Sequence, residues 1–111
     1  MNHIVEETLR LNLHNKLKTT FETTIDNPVI KAQLSWDLLS DQLEAILGQT
    51  VHRQWFDDIQ PLVLKNNILL LQTKNKFASH WINTHYQQLV DALITIQDPR
   101  YTCFFISPKK N

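Results

Sequence analysis

The chain of 111 residues has one glycine, one cysteine and no net formal charge. Gly48 alone cannot build the glycine-rich loops that cradle nucleotide phosphates, so P-loop and dinucleotide-binding chemistry are excluded. Cys103 alone excludes an internal disulfide and fits a reducing compartment, which makes the cytoplasm the expected location. Lys plus Arg and Asp plus Glu number 11 each. No global field therefore draws the chain to nucleic acid or membrane, and any nucleic-acid contact must be local. Uninterrupted apolar runs of ~18 residues are lacking, as is a basic segment leading into an apolar one at the start. Neither a membrane span nor a secretory signal is expected.

What is present reads as one domain. Residues 55–86 organise it: a helix end with an aromatic pair, a strand at 62–64, an Asn66-Asn67 turn, a second strand at 68–71, then a long amphipathic helix. The apolar run at 68–71 is short and bounded by turn residues, as a buried strand is, and Asn tolerates the positive φ a tight hairpin turn needs. Upstream, Asn27 caps and Pro28 opens a helix to about Leu47, with Trp36, Leu39, Leu43 and Ile46 on one face and Gly48 as its stop. Thr50 is expected to cap a short second helix ending near Ile59, and Pro61 to force the chain into the first strand.

Asn75 is expected to cap the long helix, whose buried face would hold Phe77, Trp81, Ile82, Tyr86, Leu89, Val90 and Leu93. After the Asp98-Pro99 breaker, residues 101–106 predict a third strand. The expected architecture is α+β, a three-stranded sheet covered by helices in the order α-α-β-β-α-β. Residues 1–27 form an extension before the domain of 28–108, and 109–111 a frayed tail. In the extension, Val5, Leu9, Leu13, Leu17, Phe21 and Ile25 recur at i, i+4, as an extra N-terminal helix would. The Thr19-Thr20 and Thr23-Thr24 pairs weaken that helix beyond about Lys18. Its stripe either covers part of the domain's own core or serves self-association or a partner.

Catalysis finds little support. His80 and His85 are five apart, which misses the i, i+4 pairing that puts two imidazoles on one helical face, so no metal site is expected. Cys103 lies in an apolar strand, where a thiol is inert, and no serine sits in a Gly-x-Ser-x-Gly elbow. Neither a cofactor nor a catalytic residue is assigned. Lys65, Lys74 and Lys76 are expected to cluster around the hairpin and the helix start with Phe77 among them. They are either solvated or able to hold a phosphate and stack a base, as in weak single-strand binding.

Trp36, Trp55, the run Thr73-Lys74-Asn75-Lys76-Phe77, Trp81-Ile82 and Tyr86 together resemble the N-terminal domain family of the bacterial replication initiator DnaA, over residues 34–108. Lys74 stands where that family usually has Pro, and His80 where Asp is frequent. The resemblance implies a KH-like fold that performs no chemistry. It also implies self-association as a homodimer and binding to DnaA, to the replicative helicase DnaB or to their regulators. Trp36 matches a tryptophan on the family's self-association face, Asn75 the Asn of its Pro-Asn-x-Phe motif, and Phe77 a phenylalanine in helicase and regulator contact. Val51 falls where a helicase-contacting glutamate stands, a departure that bears on helicase loading more than on partner binding in general. Phe77 is either an inward staple or an outward anchor, Trp36 either core or interface, and Trp55 and Trp81 are expected in the core.

Overall fold

The computed structural model describes residues 27–108, so the expected N-terminal helix and the tail lie outside the described residues. Asn27 Oδ1 accepts the backbone N–H groups of Val29 (2.9 Å) and Ile30 (3.4 Å), satisfying two donors that the first turn of a helix leaves free. Helix α1 (Pro28–Leu47) follows and buries Ala32, Ser35, Trp36, Leu39 and Leu43, a stripe at helical spacing. Gly48, at φ +89°, both stops α1 and caps α2 (Gln49–Trp55). The expected cap at Thr50 is therefore wrong. One glycine in a conformation that L side chains avoid turns the chain by itself, so Thr50 lies inside α2. Helix α2 also stops earlier than the expected Ile59, because Phe56 turns into the core.

Strands β1 (Gln60–Lys65) and β2 (Ile68–Gln72) form an antiparallel hairpin, with Asn66 and Asn67 both at positive φ in the turn. Two such residues in succession give the turn whose twist matches that of the strands it joins. Pro61 lies within β1, next to a register shift, where the sequence reading had it precede the strand. An edge strand tolerates it, since the missing N–H is not needed by a second neighbour. Strand β3 (Thr102–Ile106) runs parallel to β2, giving the order β1-β2-β3.

The crossover from β2 to β3 is two helices, α3 (Lys76–His85) and α4 (Gln87–Gln97), where the sequence predicts one. The order is thus α-α-β-β-α-α-β, an α+β fold as expected. Tyr86 makes the break (φ −124°, ψ −4°) without losing hydrogen bonds: its N–H reaches the Ile82 carbonyl at 2.8 Å and its carbonyl accepts the Val90 N–H at 2.9 Å. Its ring meets Phe56 edge-on, with centroids 5.5 Å apart. Ser79 Oγ donates to the Phe105 carbonyl and the Gln87 side-chain amide to that of Cys103, each at 3.2 Å, so each helix is pinned to β3 separately. Those bonds also occupy carbonyls on the free edge of the sheet, which discourages strand addition there.

Helices α1, α3 and α4 all lie on one face of the sheet, over Leu64, Leu69, Leu71, Cys103 and Phe105. The buried residues of α3 are Ala78, Ser79 and Ile82, and those of α4 are Val90, Leu93 and Ile94. Phe77 and Trp81 are therefore not on the face turned to the sheet, contrary to the periodicity reading, because the inward stripe runs one position further on. Asn75 caps α3 as predicted, its Oδ1 accepting the Ala78 N–H at 2.8 Å. Asn75→Ala is expected to cost about 1 kcal/mol and lower the melting temperature by about 4–8 °C, read by thermal circular dichroism.

Candidate functional site

Trp55 ends α2 and Trp81 lies in the middle of α3; where the two helices meet, their indoles stack with centroids 4.9 Å apart and planes 10° from parallel. Phe77, one turn before Trp81 on α3, lies 6.0 Å from each indole. His85, one turn after Trp81, lies against it at 4.2 Å. Both tryptophans are half-buried, whereas Phe77 is 63% exposed, so the four rings form a continuous aromatic ladder at the surface with Phe77 outermost. Stacked and tilted rings at these separations attract one another beyond the area they bury, which holds Phe77 over a rigid floor. Trp81 Nε1 is sealed from solvent and finds no acceptor among the described residues, at a cost of about 1–3 kcal/mol.

The start of α3 is fixed from below. Thr73, buried, donates its hydroxyl to the carbonyls of Asn75 (2.9 Å) and Ile106 (3.2 Å), and its N–H to Ile106 as well (2.8 Å). That network ties the helix start to the end of β3 and sets the angle at which Phe77 leaves the surface. Sequence reading includes Thr73 in the motif run but gives it no role of its own, because a threonine beside a cap resembles any turn residue. A buried polar group with every partner satisfied is the signal of its role, and that signal is visible only in three dimensions.

The predicted site residues separate into groups. Asn75 and Phe77 lie together, and Val51 is half-buried one turn before Trp55 on α2, on the side that carries the indole. Trp36 is elsewhere: 6% exposed, its ring lies 6.3 Å from Phe56 in the core. Trp55 and Trp81, expected in the core, instead form the floor of the surface ladder. Lys74 and Lys76 are exposed near Phe77, and Lys74 Nζ is 4.0 Å from Asp58 Oδ2. Lys65 does not join them. It pairs with Ile68 at the turn end of the hairpin, whereas Lys74 follows the other end of β2, so the antiparallel register holds them a strand length apart.

Two groups of side chains have the residue types of a nucleophile site, one around Ser40 and one at Cys103. Ser40 Oγ is 2.6 Å from His52 Nε2, and His52 Nδ1 is 3.8 Å from Glu44 Oε2. The order imitates a hydrolytic triad, but Ser40 lies within α1, where the neighbouring backbone N–H groups serve helical hydrogen bonds and cannot receive an oxyanion. The group joins α1 to α2. Cys103 is buried, and burial, with Asp91 adding a smaller repulsion, pushes its thiol from the ordinary 9.0 up to about 12. A proton held this tightly removes the thiolate that nucleophilic chemistry needs. Iodoacetamide at pH 8 is expected to leave the folded chain unmodified and to alkylate Cys103 once urea is added. Because only the unfolded thiol ionises between about pH 9 and 12, this group takes stability away as pH rises through that window. Among the described residues, no three His, Cys, Asp or Glu side chains converge as a metal site, and no helix is long and apolar enough to cross a membrane.

The sequence profile of the DnaA N-terminal domain matches residues 33–95, more than half of the chain. Relatives that match this region bear the name chromosomal replication initiator protein DnaA. That of Flavobacterium psychrophilum is 27% identical over 64 residues, covering 58% of this chain and 13% of the relative. The Thermus thermophilus protein is 28% identical over 69 residues (60% and 16%), and the Mesorhizobium japonicum protein 30% over 67 residues (60% and 14%). The matched region thus spans about a seventh of the relatives' length. It runs from the first turns of α1 through most of α4 and takes in the whole aromatic ladder. On that match, the chain belongs to the DnaA N-terminal domain family.

Proposed function

We propose that this chain is a non-enzymatic protein-interaction module that acts in the initiation of DNA replication, in the cytoplasm, by binding DnaA, the replicative helicase or their regulators. The observation that carries this reading is the exposed Phe77 ring standing on the Trp55–Trp81 stack. A large aromatic held rigidly at the surface loses little entropy on binding and is the kind of residue that dominates interface energy. Asn75 contributes by fixing the helix start and Val51 by extending the apolar surface along α2. Val51 is apolar where the family has a glutamate, so it suits an apolar partner surface rather than a basic one. Self-association would act through the shape and exposed positions of α1, because the Trp36 ring itself is committed to the core.

A pull-down from lysate of the source bacterium, with wild type and Phe77→Ala as paired baits, tests the proposal. Retention of DnaA, the helicase or one of their regulators by wild type alone supports it. Retention of no replication protein by either bait overturns it. Lys74 and Lys76 beside an exposed ring support a second reading, weak binding of single-stranded nucleic acid. It is distinguished by affinity that falls steeply with salt.

A further inference from the structure

The face of the sheet opposite the helices is apolar and none of the described elements covers it. Strand register puts Val63, Leu70 and Phe104 side by side across β1, β2 and β3, and alternation adds Ile68 and Ile106 on the same face. Ile68, Phe104 (50%) and Ile106 are exposed, and Val63 and Leu70 half-buried. Gln60, Gln72, Lys65 and Thr102 surround them as a polar rim, which is the pattern of a surface that has a partner.

We propose that the occupant is this chain's own N-terminal segment, with residues 5–17 lying on the sheet as an amphipathic helix through Val5, Leu9, Leu13 and Leu17. Three arguments support it, and the last two favour it over a second copy. Dimensions agree: four residues at i, i+4 span about 18 Å of helix, and a five-residue strand is about 17 Å long. The tether is long enough and starts in the right place. Pro28 and Lys31 share a cleft with Lys65, Asn66, Asn67 and Tyr101, so the chain enters α1 beside the hairpin end of the sheet. Residues 18–26 can reach about 30 Å when extended, enough to pass from the helical layer around that end to the opposite face. Their paired threonines favour extended chain over helix. Finally, a covalently linked segment competes at an effective concentration on the order of millimolar, which a second copy in dilute solution does not match.

The test places p-benzoylphenylalanine at position 104 of the full-length chain, irradiates it at micromolar concentration and maps the products by mass spectrometry. Capture of residues 5–17 within a product of monomer mass is expected. Leu9→Asp with Leu13→Asp should lower that yield at least tenfold. The same probe at Ile96, exposed on α4 away from the sheet, should capture none of the segment. Products of dimer mass joined through position 104 would assign the face to a second copy and overturn the proposal, as would absence of any product with residues 5–17. If the substituted chain loses its circular dichroism spectrum, the probe moves to Leu13, where failure to capture β2 or β3 overturns the proposal equally.

Discussion

Phe77→Ala is expected to weaken binding to the proposed replication partner by about 2 kcal/mol or more, roughly 30-fold, while leaving the fold in place. The ring is mostly exposed, so its loss removes little burial from the core, and stability should change by less than about 1 kcal/mol. Its binding contribution comes from preorganisation. Trp55 and Trp81 already hold the ring in place, so the free protein does not have to order it when the partner arrives. Isothermal titration with the purified partner, beside thermal melts of both proteins, separates the two effects. Ile96→Ala, equally exposed but off the ladder, serves as the control and should bind as wild type does. If Phe77→Ala binds normally, or if it melts so early that binding is lost with the fold, Phe77 is not the contact.

Phe56→Ala should produce the largest loss of stability, about 3–5 kcal/mol, a substantial part of the ~5–15 kcal/mol available to a domain of this kind. Its ring is 1% exposed and contacts four others: Trp36 from α1, His52 from α2, Tyr86 at the break between α3 and α4, and Phe105 from β3. Every layer of the domain therefore meets at one side chain, and the elements around it cannot all collapse into the space it would leave. Urea unfolding followed by tryptophan fluorescence measures the cost, and a loss below about 1 kcal/mol would show that the core repacks. Phe56 also directly follows Trp55 in the chain. The substitution should consequently weaken partner binding too, but in proportion to the unfolded fraction, which distinguishes it from Phe77→Ala.

The elements whose ends are set by local chemistry were legible in advance. Asn27-Pro28, Gly48, Asn66-Asn67 and Asn75 each act through their own backbone or side chain, and each stands where an element begins, ends or turns. Those signals determined the succession of helices and strands except for the break at Tyr86, together with the hairpin and the α+β class. The spacing of Trp36, Trp55, Asn75, Phe77 and Trp81, on which the resemblance to the family rests, is likewise a property of the sequence alone. The tertiary structure alone decided which side of each apolar residue is covered. Periodicity assigned Phe77 and Trp81 to the buried face, because the sequence marks an apolar stripe without marking what lies against it. Docking of α3 on β3 through Ala78, Ser79 and Ile82 turned Phe77 outward, and the approach of α2 made a floor of Trp55 and Trp81 beneath it. Contact with Phe56 holds Tyr86 at the break and Trp36 in the core, and strand register parts Lys65 from Lys74. Each of these outcomes depends on residues distant in the chain meeting in space, which nearest-neighbour chemistry does not encode.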